Sequence, residues 1–423
     1  MGFGQGLSGL RAQAQKLDVI GNNIANAGTV GFKSSTVSFA DVYASSRVGL
    51  GTQVAAVNQN FGIGSITSTG GQFDMAIDGA TGLFRVVDSN GNVLYTRNGE
   101  FSEHRSGYLV NSQGHMLTGY EGDSTTPTPI RVPSGNIEPS ATTRLETKLN
   151  LNSKEEGLDP ASFDPLDPAT FHHYLPVTVY DSHGNPHQLS QYFIKTKDDV
   201  NTWEVYFTLP SIDPANPDPI VIDDGGGPLS FTLVFDEGGR LKEVDGNDPP
   251  QPVELGDILN KAYGTGGPDP SPADGVAPLT ISLNFAGSTQ FAGDFAYTFD
   301  QNGYPTGEYS SMSIGPDGQI IASYTNGETK AMGYLVLANF PNVQGLQPVG
   351  GNAWRETSES GQPVLGRPGS NGMALIKGQA LEESNVDIGT ELVNMIITQR
   401  TYQANAQTIT TQSEVLQTLL NIR

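Results

Sequence analysis

The two ends of the chain carry a hydrophobic pattern that differs from everything between them. Near the N-terminus, apolar or small residues recur at alternating steps of four and three, as in a helix that packs along one face. These positions are Phe3, Leu7, Leu10, Ala14, Leu17, Gly21 and Ile24. The pattern stops at Ala27-Gly28, so it predicts a helix within residues 1–27.

A longer seam of the same kind occupies the C-terminal segment, residues 376–423. Its members are Leu392, Met395, Gln399, Tyr402, Ala406, Ile409, Ser413, Leu416 and Leu420. Ser384 and Asp387 are spaced as a capping box, which predicts a helix from near Asn385 to about Asn421. Polar residues interrupt the seam, so this helix alone would be marginal in water. We expect it to pair with the N-terminal helix, like a coiled coil; the alternative is a helical hairpin that merely packs on its own chain.

The chain between the helices has the pattern of short strands. Residues 28–71 are almost uncharged and too long for an ordinary loop, and the alternation in TQVAAVNQNF predicts an extended linker. Residues 72–148 and 289–375 contain hairpin signals. Asn90-Gly91 predicts one hairpin turn, and Gln113-Gly114 predicts a second between two further strands. Residues 149–288 are rich in Asp-Pro and Gly-Pro, which indicates a separate outer β domain inserted into the inner one. The predicted fold is multidomain and mainly β, with long terminal α-helices and two nested β domains.

Composition restricts the possible partners. The chain has 423 residues, 52 Gly, 27 Pro and 36% hydrophobic residues, which fits several domains of short strands joined by turns. A net charge of −23 argues against nucleic acid and anionic membranes as partners. The absence of cysteine excludes disulfides, thiolate metal sites and a cysteine nucleophile. No apolar run approaches the ~20 residues of a membrane span, so no membrane insertion is expected. The N-terminus lacks a secretory signal, so export would leave it intact.

No motif of enzyme chemistry stands out. His172, His173, His183 and His187 cluster in the sequence and could hold zinc or nickel, but turn chemistry around Gly184 explains this segment better. Residues 88–92 and 315–319 resemble calcium loops without the distal ligands, so we predict hairpin turns there. We therefore predict no catalytic residue, no metal and no cofactor.

Several long motifs, in order, are similar to one family. LDVIGNNIANAGTVGFKSS (residues 17–35) resembles the N-terminal signature of bacterial flagellar rod and hook proteins, and residues 384–423 resemble their C-terminal helix. VAAVNQNFGIGSITSTGGQFDMAIDG agrees with the family between these ends. The chain length, the insert and VYDSHGNPHQLSQYF resemble the hook branch. The turn GATGLF (79–84) departs from the family pattern, and we expect only a local loop change.

The resemblance implies a structural, non-enzymatic subunit of the bacterial flagellar hook. Such a subunit self-assembles into a curved hollow helical tube, a universal joint that transmits torque from the basal-body rod to the filament. It implies an extracellular location and export by the flagellar apparatus without a cleaved signal peptide. The implied partners are other copies of the chain and the distal rod, hook cap, hook-length control and hook-filament junction proteins. The alternatives are a distal rod or junction protein of the same family, or a secreted acidic β-rich adhesin or enzyme.

We assign self-assembly to residues of the two seams and a supporting role to the signature. The seam residues are Leu7, Leu10, Leu17, Ile24, Leu392, Met395, Tyr402, Ile409, Leu416 and Leu420. The signature residues are the amides Asn22, Asn23 and Asn26, expected to bond to neighbouring helices or backbone, and Gly31, Phe32 and Lys33 at the start of a flexible linker. Because the seams are interrupted by polar residues, we expect the ends to be largely disordered in the monomer and to fold on assembly.

Overall fold

The chain folds into two compact units, one inserted into the other. The computed structural model describes residues 3–42, 50–122, 124–197, 199, 201–213, 217–264 and 273–421. Unit 1 consists of Met1–Ser134, Ser310–Ser323 and Thr329–Arg423, and unit 2 of Gly135–Tyr309 and Tyr324–Glu328. Unit 2 extends past the predicted insert 149–288 on both sides, because strands Arg144–Asn150 and Ala296–Gln301 pair with each other.

The described residues form a long helix at each end, with strands and one short helix between them. The helices are α1 (Phe3–Ala25), α2 (Ile258–Tyr263) and α3 (Ile388–Asn421). The strands before the insertion are β1 (Ser35–Val42), β2 (Gly51–Gln59), β3 (Ile66–Ser68), β4 (Met75–Asp78), β5 (Leu83–Val87), β6 (Val93–Thr96), β7 (Phe101–Glu103), β8 (Leu109–Asn111), β9 (Met116–Glu121) and β10 (Thr128–Pro129). Those of unit 2 are β11 (Arg144–Asn150), β12 (His173–Tyr180), β13 (Pro186–Lys195), β14 (Thr202–Leu209), β15 (Ile220–Val221), β16 (Ser230–Phe235), β17 (Leu241–Val244), β18 (Val253–Asp257), β19 (Thr280–Asn284) and β20 (Ala296–Gln301). Those on the return are β21 (Tyr309–Ile314), β22 (Gln319–Tyr324), β23 (Thr329–Leu335), β24 (Leu337–Asn339), β25 (Gln347–Gly350), β26 (Ala353–Arg355), β27 (Val364–Gly366), β28 (Leu375–Gly378) and β29 (Ala380–Glu382).

Unit 1 contains a large sheet in the order β21-β22-β23-β9-β5-β6-β26-β25. The hairpin predicted at Asn90-Gly91 is confirmed: β5 and β6 pair antiparallel, and Gly91 has φ 85°. A second hairpin follows at Gly114, with φ 80°, between β8 and β9. Glycine is needed at both turns because other residues rarely adopt a positive φ.

Unit 2 contains two sheets that share one hydrophobic core. One sheet has the order β18-β19-β11-β20 and the other β12-β13-β14-β16-β17. Alternate residues of β16 point inward, since its positions alternate strictly between half-buried and buried. Phe193, Trp203, Phe207 and Leu283 are among the fully buried members of that core. The four clustered histidines lie in this unit, and His187 pairs with the buried carboxylate of Asp181.

The predicted linker, residues 28–71, is largely ordered by pairing. Strands β1 and β2 form an antiparallel hairpin that contacts α1, and β3 pairs with β29. The pairing satisfies backbone groups that a free linker would leave to water. The described parts of this segment, 28–42 and 50–71, thus contain the extended strands that the alternation predicts.

The C-terminal helix begins later than predicted. Residues 375–382 form β28 and β29, which pair with β4 and β3, so the helix does not occupy the whole of 376–423. Its N-cap is Asp387, whose carboxylate accepts the N–H groups of Gly389 and Thr390 at 2.9 and 3.4 Å. The hydroxyl of Thr390, which donates to Asp387 Oδ2 at 2.8 Å, lowers the pKa of Asp387, and the two backbone bonds lower it further. The prediction of Ser384 as the N-cap was wrong. The next residue, Asn385, lies before the helix, and its side chain bonds to the backbone of Ser34 and Asn60. Among the described residues, neither α1 nor α3 is apolar enough to cross a membrane.

Candidate assembly site

Helices α1 and α3 contact each other through small residues of α1. A Cβ on Gly6 would lie 3.0 Å from Ile409 Cγ1, and a Cβ on Gly9 would lie 3.0 Å from the side-chain amide of Asn405. The buried residues of α1 are Gly6, Gly9, Ala12, Ile20 and Asn23. The predicted pairing of the terminal helices is confirmed, but the contact uses a different face of α1. Glycine allows the backbones to approach more closely than leucine would.

The predicted seams lie mostly outside that contact. In α1, Leu7 is exposed, whereas Leu10, Leu17 and Ile24 are half-buried. In α3, Met395 and Ile409 are half-buried, and three other seam residues are exposed: Leu392, Tyr402 and Leu416. Leu420 belongs to α3, but its side chain lies outside the described residues. The seams therefore leave an apolar surface available on both helices.

Further apolar residues of α3 were missed because they do not follow the seam. Val393 and Ile397 expose 56% and 55% of their surface, and Val415 exposes 53%. Ile396 is similarly exposed beside them. A search for a single heptad ignores these positions, although an inspection of all faces of the helix would have found them.

Asn23 is the signature amide that joins different elements. It is buried, its Nδ2 donates to the carbonyl oxygen of Ser35 at 2.8 Å, and its Oδ1 accepts the N–H of Ser35 at 2.9 Å. The same Nδ2 lies 3.3 Å from Glu391 Oε1 of α3. One side chain thus connects α1, the start of β1 and the first turn of α3.

The other two signature amides bond locally. Asn26 Nδ2 donates to the carbonyl oxygen and the Oδ1 of Asn22, at 2.9 and 3.0 Å. Asn26 Oδ1 accepts the hydroxyl of Thr29 at 3.2 Å. These contacts finish the last turn of α1 and lead the chain toward Gly31.

Gly31 occupies a place that no other residue fits. Its φ is 69°, and a Cβ would lie 2.6 Å from the carbonyl carbon of Arg97. Its N–H donates to the carbonyl oxygen of Glu382 at 2.7 Å. Phe32, the next residue, is buried, and its carbonyl oxygen accepts the N–H of Asn385. Gly31 and Phe32 of the signature therefore pack between Arg97 on one side and residues 382–385 on the other.

A buried ionic triad lies at this point. Lys33 Nζ is 2.5 Å from Glu382 Oε1, and Arg97 NH1 is 3.0 Å from Glu382 Oε2. The three side chains expose 1% or less of their surface. Two cations and one anion leave a net charge of +1, which backbone carbonyl oxygens solvate: Lys33 also donates to Gly62 at 2.7 Å, and Arg97 to Gly79 at 2.9 Å. Gly79 is the first residue of the turn GATGLF (79–84).

Burial dominates the electrostatics of the triad. Loss of water lowers the pKa of Lys33 and of Arg97, and the nearby Glu382 carboxylate offsets part of this effect in both. Glu382 is therefore the group that makes two buried cations tolerable. Neither Arg97 nor Glu382 was singled out from the sequence, because each is distant along the chain from Lys33.

Asn385 completes the junction beside the triad. Its Oδ1 accepts the N–H of Ser34 at 2.8 Å, and its Nδ2 donates to the carbonyl oxygens of Asn60 and Gly62 at 2.8 and 3.1 Å. Three distant parts of the chain, around residues 33, 62 and 382, thus meet in one polar core. We call the set Gly31, Lys33, Arg97, Glu382 and Asn385 the base junction, since α1 ends shortly before it and α3 begins shortly after it in the chain.

Family models match most of the chain in order. They are the flagella basal body rod protein (residues 5–33), the flagellar hook protein FlgE/F/G D1 domain (76–147), the flagellar basal body protein FlaE D2 domain (150–304) and the flagellar basal body rod FlgEFG protein C-terminal region (377–422). The first and last matches contain Lys33 and Glu382, so the triad joins the two terminal family regions.

Whole relatives align over their full length. The chain is 43% identical over 434 residues to the flagellar hook protein FlgE of Salmonella typhimurium, covering all of both chains. It is 42% identical to that of Escherichia coli K12 over the same span, and 32% identical over 460 residues to that of Borreliella burgdorferi, with 99% of this chain and 98% of the relative covered. The crystal structure of the Helicobacter pylori hook protein FlgE2 has the same fold, with a TM-score of 0.52 at 17% identity over 75% of this chain and all of that one.

Proposed function

Because this chain belongs to the flagellar hook protein family, whose members are structural subunits of the hook outside the cell, we propose that α1 and α3 are the parts through which it polymerises. The polymer would be a curved hollow tube that acts as a universal joint between rod and filament. The exposed apolar rows of the two terminal helices carry this proposal, since a single chain leaves them in water.

The exposed area is large enough to matter. Full burial of a Val, Leu or Ile side chain contributes about 1.5–3 kcal/mol. Six such residues of α3 are about half exposed, so their burial would contribute on the order of 6 kcal/mol per subunit: Leu392, Val393, Ile396, Ile397, Val415 and Leu416. Association costs about 4–15 kcal/mol, so one contact alone would be weak and several neighbours would bind cooperatively.

We further propose that the distal turns of α3 gain most of their order on assembly. Residues 413–418 are all exposed, so these turns have little packing within their own chain. A helix without a packed face is marginal in water. Polymerisation would supply that face, and the base junction would hold the helix at its other end.

The finer organisation follows from the family. We propose that the β strands of unit 1, within 72–148 and 289–375, form the inner β domain with residues 1–27, 28–71 and 376–423. We propose that unit 2, which includes 149–288 and extends beyond it on both sides, forms the outer one. We also propose that the subunit meets the distal rod, hook cap, hook-length control and hook-filament junction proteins, after passing the flagellar export apparatus.

Electron microscopy of the purified full-length chain tests the proposal, with Leu416→Glu as the perturbed variant and Gln417→Glu as its neighbour of equal added charge. We expect curved tubes from the natural chain and from Gln417→Glu, and few or none from Leu416→Glu. Straight rods would favour a rod or junction role. Absence of any polymer, or equal assembly of all three chains, would contradict the proposed role of the helices.

A further inference from the structure

Five asparagines of this chain are each followed by glycine. They are Asn90, Asn98, Asn302, Asn326 and Asn371. In such a pair the glycine nitrogen can attack the side-chain carbonyl carbon of the asparagine, because neighbouring groups of one chain are held close together and glycine has no side chain that shields its nitrogen. A fold prevents this attack when it occupies the glycine N–H, fixes the asparagine side chain or packs both groups in the interior.

Three of the five pairs have an occupied glycine N–H. Each of these N–H groups donates to an oxygen two or three residues earlier: Gly91 to Asp88 at 3.1 Å, Gly303 to Gln301 at 2.7 Å and Gly327 to Tyr324 at 3.1 Å. Two of the asparagine side chains are fixed as well. Asn302 Oδ1 accepts the N–H of Arg144 at 2.9 Å, and Asn326 Nδ2 donates to the carbonyl oxygen of Pro305 at 2.8 Å. The hydrogen bonds of the fold therefore protect these three pairs.

The fourth pair, Asn98-Gly99, is protected by burial. Asn98 exposes only 8% of its surface, and its Oδ1 accepts the N–H of Glu100 at 2.9 Å. Gly99 lies so close to the carbonyl oxygen of Met75 that a Cβ on it would overlap that oxygen. Neither group can move without disturbing the packing around it.

Asn371-Gly372 has none of these restraints. Both residues are exposed, and in the part of the chain that the structure describes neither the Asn371 side chain nor the Gly372 N–H has a hydrogen-bond partner. Asn371 and Gly372 have φ 51° and 73°. The turn around them is closed by the N–H of Met373, which donates to the carbonyl oxygen of Ser370 at 2.9 Å. A local opening of this exposed turn is enough to bring the Gly372 nitrogen to the Asn371 side chain.

We infer that Asn371 is the deamidation site of this chain, converted without an enzyme to aspartate and isoaspartate. The Gly372 nitrogen gives its proton to water and bonds to Asn371 Cγ, while the Cγ–Nδ2 bond breaks and ammonia leaves. Water then opens the five-membered ring at either carbonyl carbon, and a carboxylate replaces the neutral amide. Opening at the main-chain carbonyl gives isoaspartate, whose main chain runs through Cγ and contains one additional carbon. Because the ammonia is lost, the modified fraction increases with the age of a subunit outside the cell.

The turn that contains Asn371 supports a second turn of unit 1. The carbonyl oxygen of Gly372 accepts the hydroxyl of Thr81 at 2.9 Å, and the N–H of Ala374 donates to the carbonyl oxygen of Thr81 at 3.3 Å. Thr81 belongs to the turn 79–84, in which the carbonyl oxygen of Gly79 accepts from Arg97 of the base junction at 2.9 Å. An additional main-chain carbon at residue 371 would displace Gly372 and so weaken the support of the turn that holds Arg97.

Peptide mass analysis of the full-length chain tests the site. The chain is aged for weeks in mildly alkaline buffer, in which the attacking nitrogen loses its proton more readily, and is then digested. Cleavage after Arg355 and Lys377 gives a peptide in which Asn371 is the only asparagine. Trypsin and a protease that cleaves after glutamate together give separate peptides for the other four pairs. Conversion raises the mass of a peptide by about one dalton.

We expect Asn371 to convert at least tenfold faster than each of the other four asparagines. Asn371→Gln is the control that should not react, because its longer side chain forms the ring far more slowly. Faster conversion of another pair, or no conversion at Asn371, would overturn the inference.

Urea titration of the aged chain tests the effect on unit 1. In the Trp203→Phe background, Trp354 is the only tryptophan and reports unit 1. Ageing should lower its urea midpoint by about 0.3 M, the shift expected from the loss of one hydrogen bond, and should leave the Asn371→Gln chain unchanged. Fresh Asn371→Asp carries the charge without the additional carbon and should stay within about 0.1 M of the fresh natural chain. An unchanged midpoint after conversion, or an equal loss in Asn371→Asp, would refute the effect on the turn. Neither measurement involves assembly, so a negative result leaves the proposed function intact.

Discussion

Replacing Glu382 by Gln should damage unit 1 far more than replacing Lys33 by Met. Glu382 is the anion between two cations, so the first change leaves Lys33 and Arg97 buried without a counter-charge. The second change removes one cation and leaves the neutral pair Arg97–Glu382 at 3.0 Å. The comparison therefore asks whether the charge balance, rather than the number of contacts, holds the base junction together.

The structure sets the size of the two effects. Leaving a buried charge without its partner costs about 3–5 kcal/mol. Lys33→Met leaves neither of its acceptors without a hydrogen-bond donor. The carbonyl oxygen of Gly62 still accepts from Asn385 at 3.1 Å, and Glu382 still accepts the N–H of Gly64 at 2.9 Å. An apolar side chain of similar volume in place of a buried ion is often neutral or stabilising, so we expect a change within about 1 kcal/mol.

The two tryptophans allow each unit to be followed alone. Trp354 lies in unit 1 and Trp203 in unit 2, and the chain has no other tryptophan. Trp203→Phe makes Trp354 the only reporter of unit 1 in urea titrations of the full chain. With a slope of about 3 kcal/mol per molar, Glu382→Gln should lower the midpoint by about 1–2 M. Trp354→Phe chains carrying the same change serve as the control, since unit 2 should not respond.

Glu383→Gln is the matched substitution. Glu383 is exposed and accepts only the hydroxyl of Thr67 at 2.7 Å in the described structure, so its loss should cost less than about 1 kcal/mol. The double variant Lys33→Met with Glu382→Gln should recover part of the loss of Glu382→Gln, because one of the stranded cations is gone. Equal midpoints for Glu382→Gln and Glu383→Gln, or a larger loss from Lys33→Met, would refute the reasoning.

Two more predictions concern the same junction. Gly31→Ala should lower the unfolding free energy of unit 1 by about 2 kcal/mol or more, because φ is 69° and a Cβ would lie 2.6 Å from the Arg97 backbone. Gly28→Ala is the control, since a Cβ there meets nothing within 4 Å. Equal losses of the two variants in the Trp354 titration would contradict the argument. Because burial lowers the pKa of Lys33 below its value of 10.5 in the unfolded chain, the unfolded state binds more protons between the two values, so unit 1 should gain stability as the pH rises toward 10.5. The Lys33→Met chain should lose this part of the pH dependence, and an unchanged slope of midpoint against pH would count against it.

Local patterns were sufficient to predict the two terminal helices and the hairpins at Asn90-Gly91 and Gln113-Gly114, although not α2. Steps of three and four along residues 3–24 and 392–420 and the turn at Asn90-Gly91 depend on residues close together in the sequence, and such local preferences survive in the folded chain. The face that α1 presents to α3 was not predictable in this way. Gly6 and Gly9 are weak helix formers by propensity, but in the structure the absence of a Cβ at these positions lets α3 approach α1 closely.

The base junction escaped sequence analysis for a different reason. Lys33 and Glu382 are 349 residues apart, and no pattern near either residue indicates the other. The resemblance marked Lys33 as part of a signature, but a signature does not state the contact that its residue makes. Asn23 was expected to bond a neighbouring helix or backbone, and it reaches the backbone of its own chain at Ser35. Pairing across such distances depends on the topology that brings both chain ends together.

Because Lys33 and Glu382 are 349 residues apart, the triad forms only in a chain that has been synthesised as far as residue 382. A chain that ends before residue 382 lacks the carboxylate that neutralises Lys33 and Arg97, so its N-terminal segment cannot close the junction at low free energy. We expect truncated chains to lack these ion pairs at the point that follows the end of α1. A polypeptide that reaches residue 382 is therefore needed to connect the end of α1 to the start of α3 through these ion pairs.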